Sequence, residues 1–268
     1  MFWTRVLSAI VFGAIVVFII FKGQLWGLFA LVSFIIILGC IEFSNIANSK
    51  VDLPLTLISV IIALLICFLA LKPSWINVKL VLCLAVSLPF LVEIIRRKPQ
   101  SALLKVSSTL LGIIYLGWLF GHHIILLRKM QDGIALVILL SGITWIGDIG
   151  AYLVGKRFGK HKVIPAISPG KSLEGYIGGI VLSCLAAFLI GRWLLPEIAL
   201  VHIIIMGAGL TIIGQIGDLA ESMLKRGADL KDSGSIIPGH GGILDRCDSL
   251  IFITPAFYYY TIYILHMS

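Results

Sequence analysis

Uninterrupted apolar stretches of roughly 16 to 20 residues recur from one end of this chain to the other, and that recurrence restricts the fold more than any single motif does. A helix rises about 1.5 Å per residue, so about 20 residues cross the hydrocarbon layer of a bilayer. Inside that layer the backbone must satisfy its own hydrogen bonds, which leaves helices as the natural form for runs of this length. Composition agrees: 59% of the 268 residues are hydrophobic and 13% charged, where soluble domains carry about 25% charged residues. Mean hydropathy is +1.08. The expected fold class is all-α, a polytopic helical membrane protein.

Nine spans are expected: Val6 to Phe21, Gln24 to Ile41, Leu53 to Leu71, Leu80 to Ile95, Val106 to Leu127, Gly133 to Gly155, Tyr176 to Leu195, Ala199 to Leu219, and Leu250 to Leu265. The fourth is the least regular, because Pro89 and Glu93 lie within it and Lys79 crowds its start, so the count is eight or nine. The first run follows Arg5 but lacks a small-residue cleavage site at its end, and is read as a retained span. With nine spans, fifteen of the 21 lysines and arginines fall on the side of the N-terminus. The positive-inside rule then places the N-terminus in the cytoplasm and the C-terminus outside, in the cell (inner) membrane. Residues 1-130 form the expected N-terminal group of spans. Residues 131-268 form the expected catalytic region, with cytoplasmic loops 156-175 and 220-249.

The net charge of +8 does not indicate nucleic-acid binding. Most of the basic residues lie at span ends, where they face anionic head groups. The five cysteines have no C-x-x-C spacing, and neither a disulfide framework nor a zinc site is expected.

Polarity concentrates in the two cytoplasmic loops and the spans entering them. On a helix continuing the eighth span, Asp218, Ser222 and Lys225 fall at i, i+4 and i+7 with Glu221 beside them, so a carboxylate, a hydroxyl and a cation share one stripe. Asp245 and Asp248 are i, i+3 at the entrance of the last span. Like charges so close favour a raised pKa or a bound cation. Mg²⁺ suits them, since it takes carboxylate oxygens and keeps positions open for substrate phosphates. Between these acids Pro238-Gly239 reads as a turn, and Gly241-Gly242 lets backbone N–H groups approach a phosphate. Lys225, Arg226, Lys231 and Arg246 supply countercharge for a nucleoside triphosphate and its pyrophosphate leaving group. The competing reading is a solvated connecting loop of mixed charge.

Asp148 lies within the sixth span, about 10 Å below its cytoplasmic end by helical rise. A carboxylate at that depth is costly unless paired or hydrated, so it reads either as a lining group of the same cavity or as the structural partner of a buried cation. Ile146-Gly147-Asp148 and Ile216-Gly217-Asp218 echo each other, each with a glycine where helices could approach closely. Gly170-Lys171-Ser172 is not a P-loop, because Pro165 occupies the position of the required first glycine. Lys171 reads as a contact to a lipid head group or the nucleotide, or as an ordinary interfacial lysine.

Ser222-Met223-Leu224-Lys225-Arg226, Lys231-Asp232 and the run Pro238-Gly239-His240-Gly241-Gly242-Ile243-Leu244-Asp245-Arg246-Cys247-Asp248 resemble the signature of the phosphatidate cytidylyltransferases, or CDP-diacylglycerol synthases. The resemblance extends to Asp148 with Ala151-Tyr152 and Gly155-Lys156, and to Ser168-Pro169, Lys171-Ser172 and Glu174-Gly175. It implies that phosphatidic acid attacks the α-phosphorus of CTP with Mg²⁺ present, giving CDP-diacylglycerol and pyrophosphate, and it implies a homodimer. In that scheme Asp218 and Asp245 hold the catalytic cation, with Asp148 and Asp248 as further ligands and one or two metals in all. Lys225, Arg226 and Arg246 meet the β and γ phosphates. Lys171 faces the lipid phosphate, and Ser222, Lys231, Asp232, Gly241 and Gly242 belong to the substrate site. His240 binds phosphate or orients the loop and is not an essential base, because a phosphomonoester with its second pKa near 6 is already ionised.

Two rivals share some of these features. One is a CTP-dependent transferase or kinase acting on another lipid phosphate or a polyprenol. The other is an ion-coupled secondary transporter with Asp148 and Asp218 as coupling carboxylates.

Overall fold

The structure, a computed structural model, describes residues 13–48, 52–73, 76–234 and 241–267. Every extended element among them is a helix. A short apolar helix α1 (Gly13–Lys22) is followed by α2 (Gln24–Asn48), α3 (Leu53–Leu71), α4 (Val78–Arg96), and a continuous rod made of α5 (Pro99–Gly112), a π-helical stretch (Ile113–His122) and α6 (His123–Lys129). Then come α7 (Gly133–Phe158), α8 (Leu173–Leu194), α9 (Leu200–Gly227) and α10 (Leu244–Tyr263). Seven of these are long and apolar enough to cross a bilayer, namely α2, α3, α4, the rod, α7, α8 and α9. The chain is a multi-pass membrane protein. The start of the first expected span lies outside the described residues, and the last expected span falls on α10, which is helical but is not one of those seven and whose first turns carry Asp245, Arg246 and Asp248.

The irregular fourth span is a full 19-residue helix. Asn77 caps its start, its side chain accepting from Lys79 N at 2.9 Å, and Arg97 ends it in the left-handed region ahead of Pro99. Glu93 is accommodated because Arg96, three residues on, reaches it at 2.7 Å. Arg96 also holds both oxygens of Asp52, at 2.6 and 2.7 Å, and Lys105 adds a contact at 3.0 Å. The bidentate Arg96 contact lowers the Asp52 carboxyl from 3.8 to about 2. A depressed folded pKa stabilises above the unfolded value and loses that contribution as pH falls through the folded one. Asp52→Asn should therefore lower thermal stability in detergent by of order 2 kcal/mol at pH 6, and the gap to wild type should close as pH falls from about 4 toward 2.

The chain forms two compact units, residues 1–126 with 227–247 and residues 127–226 with 248–268. The loop segment 227–247 thus groups with the N-terminal helices. The core of the first unit includes Ile62, Ile66, Leu69, Val81, Ala85 and Ile113. In the second unit α7 and α8 pack through small residues, as helices in lipid do when close backbone approach supplies the contact. A methyl group at Gly150 would lie 2.8 Å from the Gly178 carbonyl oxygen and 2.9 Å from Leu182 Cβ. Ser183 Oγ donates to Ile143 O across the same seam at 2.9 Å. Gly150→Val should cost about 1–3 kcal/mol through overpacking, read as a lower melting temperature of the purified protein.

Candidate active site

Helix α9 continues as one element through Gly227, so Asp218, Glu221, Ser222 and Lys225 occupy the helical register the sequence requires. In the second unit, Asp218 Oδ2 meets Lys171 Nζ at 2.6 Å. The Asp248 carboxyl faces those of Asp218 and Glu221, which act on it electrostatically. Gly217 permits this pairing, for a methyl group there would lie 2.8 Å from the Asp248 carbonyl oxygen and 3.0 Å from the Phe252 ring. Carboxyl groups so placed favour a shared proton or a nearby cation, and the Lys171 ammonium stands beside Asp218.

Lys171 is held by its backbone. Its N–H donates to Ser168 O and its carbonyl accepts from Val163 N, both at 3.3 Å. The adjoining Ser172 caps α8 by accepting from Gly175 N, and Glu174 takes the amides of Lys160 and His161 together with the His161 ring. The loop after α7 is thereby folded back on the start of α8. Lys225 Nζ lies 3.1 Å from Glu221 Oε1, one turn away, and both residues are buried, at 8% and 1% exposure. Arg226 is exposed, and its Nε donates to Ile167 O at 3.3 Å. Ser222 is half-buried, and Asp148 lies on the exposed face of α7.

The first unit contains a second carboxylate arrangement. Asp245 Oδ2 accepts from Ser233 N at 2.9 Å, Ser233 Oγ at 2.9 Å and Gly242 N at 2.8 Å. Glu42 of α2, at 3% exposure, accepts from Ser233 Oγ, Ile243 N and Leu244 N at 2.9, 2.9 and 3.0 Å. Both loop glycines have a reason here. Gly241 has φ +81°, and a side chain on it would meet Asp245 Oδ2, while one on Gly242 would run into the Glu42 carboxylate. The Gly242 amide, expected to face a phosphate, donates to Asp245. Asp232 borders Gly241, and Asp232, Lys231 and Arg246 are exposed. His240 lies outside the described residues.

These observations bear on the cation. Among the described residues no group of three or more His, Cys, Asp or Glu side chains is arranged to hold a metal. Mg²⁺ does not need one, since it binds through one or two carboxylates plus substrate phosphates and water. Asp218 and Asp248 are two neighbouring carboxylates in the second unit.

The sequence matches the cytidylyltransferase family over residues 3–264. The chain belongs to that family. This cytidylyltransferase, a nucleotidyltransferase, is 35% identical over 264 residues to a phosphatidate cytidylyltransferase of Bacillus subtilis, covering 96% of this chain and 94% of that one. It is 34% identical over 257 residues to a protein of the same name from Staphylococcus saprophyticus, covering 94% and 95%. A 169-residue match at 41% identity to the uncharacterized Escherichia coli protein YnbB covers 62% of this chain and 56% of that one. For the two phosphatidate cytidylyltransferases the likeness runs nearly end to end, including the N-terminal spans, where the sequence alone offered only a hydrophobic pattern. Glu42 is the residue that reading missed. The signal was available, because an acid six residues from the end of an apolar helix has the same standing as Asp148.

Proposed function

We propose that this cytidylyltransferase transfers CMP from CTP to phosphatidic acid in an Mg²⁺-dependent reaction, releasing pyrophosphate and leaving CDP-diacylglycerol in the membrane. The observation that carries the reading is the Asp218–Asp248 carboxyl pair, with Lys171 on Asp218, in a chain of this family. The names of the full-length relatives supply the acceptor.

A phosphatidate oxygen attacks the α-phosphorus of CTP, a phosphorus–oxygen bond forms, and the bond from that phosphorus to the bridging oxygen breaks with pyrophosphate as leaving group. The nucleophile is largely ionised at neutral pH, so the protein's task is positioning and charge neutralisation. Asp218 with Asp248, and Asp245, are the carboxylates that would hold Mg²⁺, which supplies charge neutralisation to the phosphates and the departing pyrophosphate. Lys171 presents its ammonium from a backbone-anchored loop toward the lipid phosphate. Lys225, Arg226 and Arg246 serve the β and γ phosphates. The reading places the catalytic loops and the N-terminus in the cytoplasm, where CTP is, and takes the enzyme to be a homodimer.

The test is pyrophosphate release by the purified protein in detergent with phosphatidic acid, CTP and Mg²⁺. Lipid-dependent release that EDTA abolishes, with CDP-diacylglycerol as product, is expected. Formation of CDP in place of pyrophosphate would make the protein a lipid kinase, and a requirement for a different lipid phosphate would change the acceptor.

A further inference from the structure

Glu42 is buried in α2, yet its carboxylate is committed to residues about two hundred positions later in the chain. Oε1 accepts from Ile243 N, and Oε2 from Leu244 N and Ser233 Oγ. Helix α10 begins at Leu244, so the two amides belong to the group at a helix start that lacks intrahelical acceptors, where negative charge is favoured. The loop closes tightly on this acid. A side chain at Gly234 or Gly242 would come within 2.5 Å of its carboxylate oxygens.

The link to Asp245 is the Ser233 hydroxyl. It lies 2.9 Å from Glu42 Oε2 and 2.9 Å from Asp245 Oδ2, and a hydroxyl has one proton to donate. The same Asp245 oxygen is held by Ser233 N and Gly242 N. All three donors to Asp245 therefore sit on residues that touch Glu42 or directly adjoin residues it holds. Capping α10 would need only a local Ser, Thr, Asp or Asn. A buried acid from a distant span fixes more than a helix end.

We propose that Glu42 is a positioning residue for Asp245: by anchoring Ser233, Ile243 and Leu244 it fixes the orientation of the Asp245 carboxylate for a divalent cation. The inference rests on the reading of Asp245 as a cation ligand and is testable apart from turnover. Mn²⁺ is the probe, its binding followed by electron paramagnetic resonance on the detergent-purified full chain with CTP and without it. Ser233→Ala removes the shared hydroxyl but leaves Glu42 and its two amide partners in place. It should weaken Mn²⁺ binding about tenfold or more, as loss of groups supporting metal ligands does, and raise the Mg²⁺ concentration for half-maximal activity by a similar factor, with a smaller effect on kcat at saturating Mg²⁺. Glu42→Gln puts an amide NH₂ against a backbone donor and should act in the same direction, with faster hydrogen exchange at Ile243 and Leu244. If Glu42→Gln does not fold, Ser233→Ala carries the test.

A folded Ser233→Ala protein with unchanged Mn²⁺ affinity and Mg²⁺ dependence overturns the proposal. So does a wild-type protein with no Mn²⁺ site that Asp245→Asn removes. Wild-type protein that binds Mn²⁺ through Asp245, loses it on Ser233→Ala, and transfers no CMP to phosphatidate sinks the proposed function and leaves the positioning role standing.

Discussion

Replacing Asp218 by Asn is expected to reduce CMP transfer by roughly a thousandfold or more, about 4 kcal/mol of transition-state stabilisation. Loss of a group that merely supports a metal ligand costs about 10- to 100-fold, and Asp218 is argued to be a ligand itself. Asn keeps the size and one oxygen but loses the charge that Lys171 meets at 2.6 Å and the carboxyl pairing with Asp248. Two roles must be separated, cation ligand and countercharge to Lys171. If Asp218 only neutralised Lys171, the defect of Asp218→Asn would be the same at every Mg²⁺ concentration; under the cation reading the Mg²⁺ concentration for half-maximal activity rises sharply. The assay is initial-rate pyrophosphate release across a Mg²⁺ titration. Near wild-type turnover by Asp218→Asn at limiting Mg²⁺ would show that the carboxylate does not hold the ion.

What could be read from the sequence and what could not divide along a physical line. The spans were legible because a bilayer demands long apolar helices, and even the doubtful fourth one is a 19-residue helix. Asp148, Asp218, Asp245 and Asp248 stood out because charge is scarce in such a chain and costly at depth. Pairings between distant positions were not legible. Glu93 looked like a flaw in a span until Arg96 and Asp52 were seen around it. Glu42 lies 191 to 202 residues from its partners, and no local periodicity links positions so far apart. The Gly242 amide, which the sequence suggests for a phosphate, donates to the Asp245 carboxylate, a partner that no local pattern announces. In each case the residue type was informative and its partner was not, because partner choice is set by tertiary packing.

The second large effect concerns stability. Glu221→Ala is expected to destabilise the protein by about 3–5 kcal/mol, the usual consequence of removing one partner of a buried ion pair. Glu221 is 1% exposed and Lys225 8% exposed, so loss of the carboxylate leaves an ammonium in a site that water hardly reaches. The Glu221→Leu with Lys225→Met pair should restore most of that loss, because apolar groups of similar volume often replace a buried pair at little cost. Thermal unfolding in detergent reads both. Activity reads something different. If Lys225 serves only to neutralise Glu221, the stable double variant will turn over normally. If Lys225 also meets the β and γ phosphates, the double variant will be stable yet defective, with a raised KM for CTP. A stable and fully active double variant would confine Lys225 to the fold and leave the phosphates to Arg226 and Arg246.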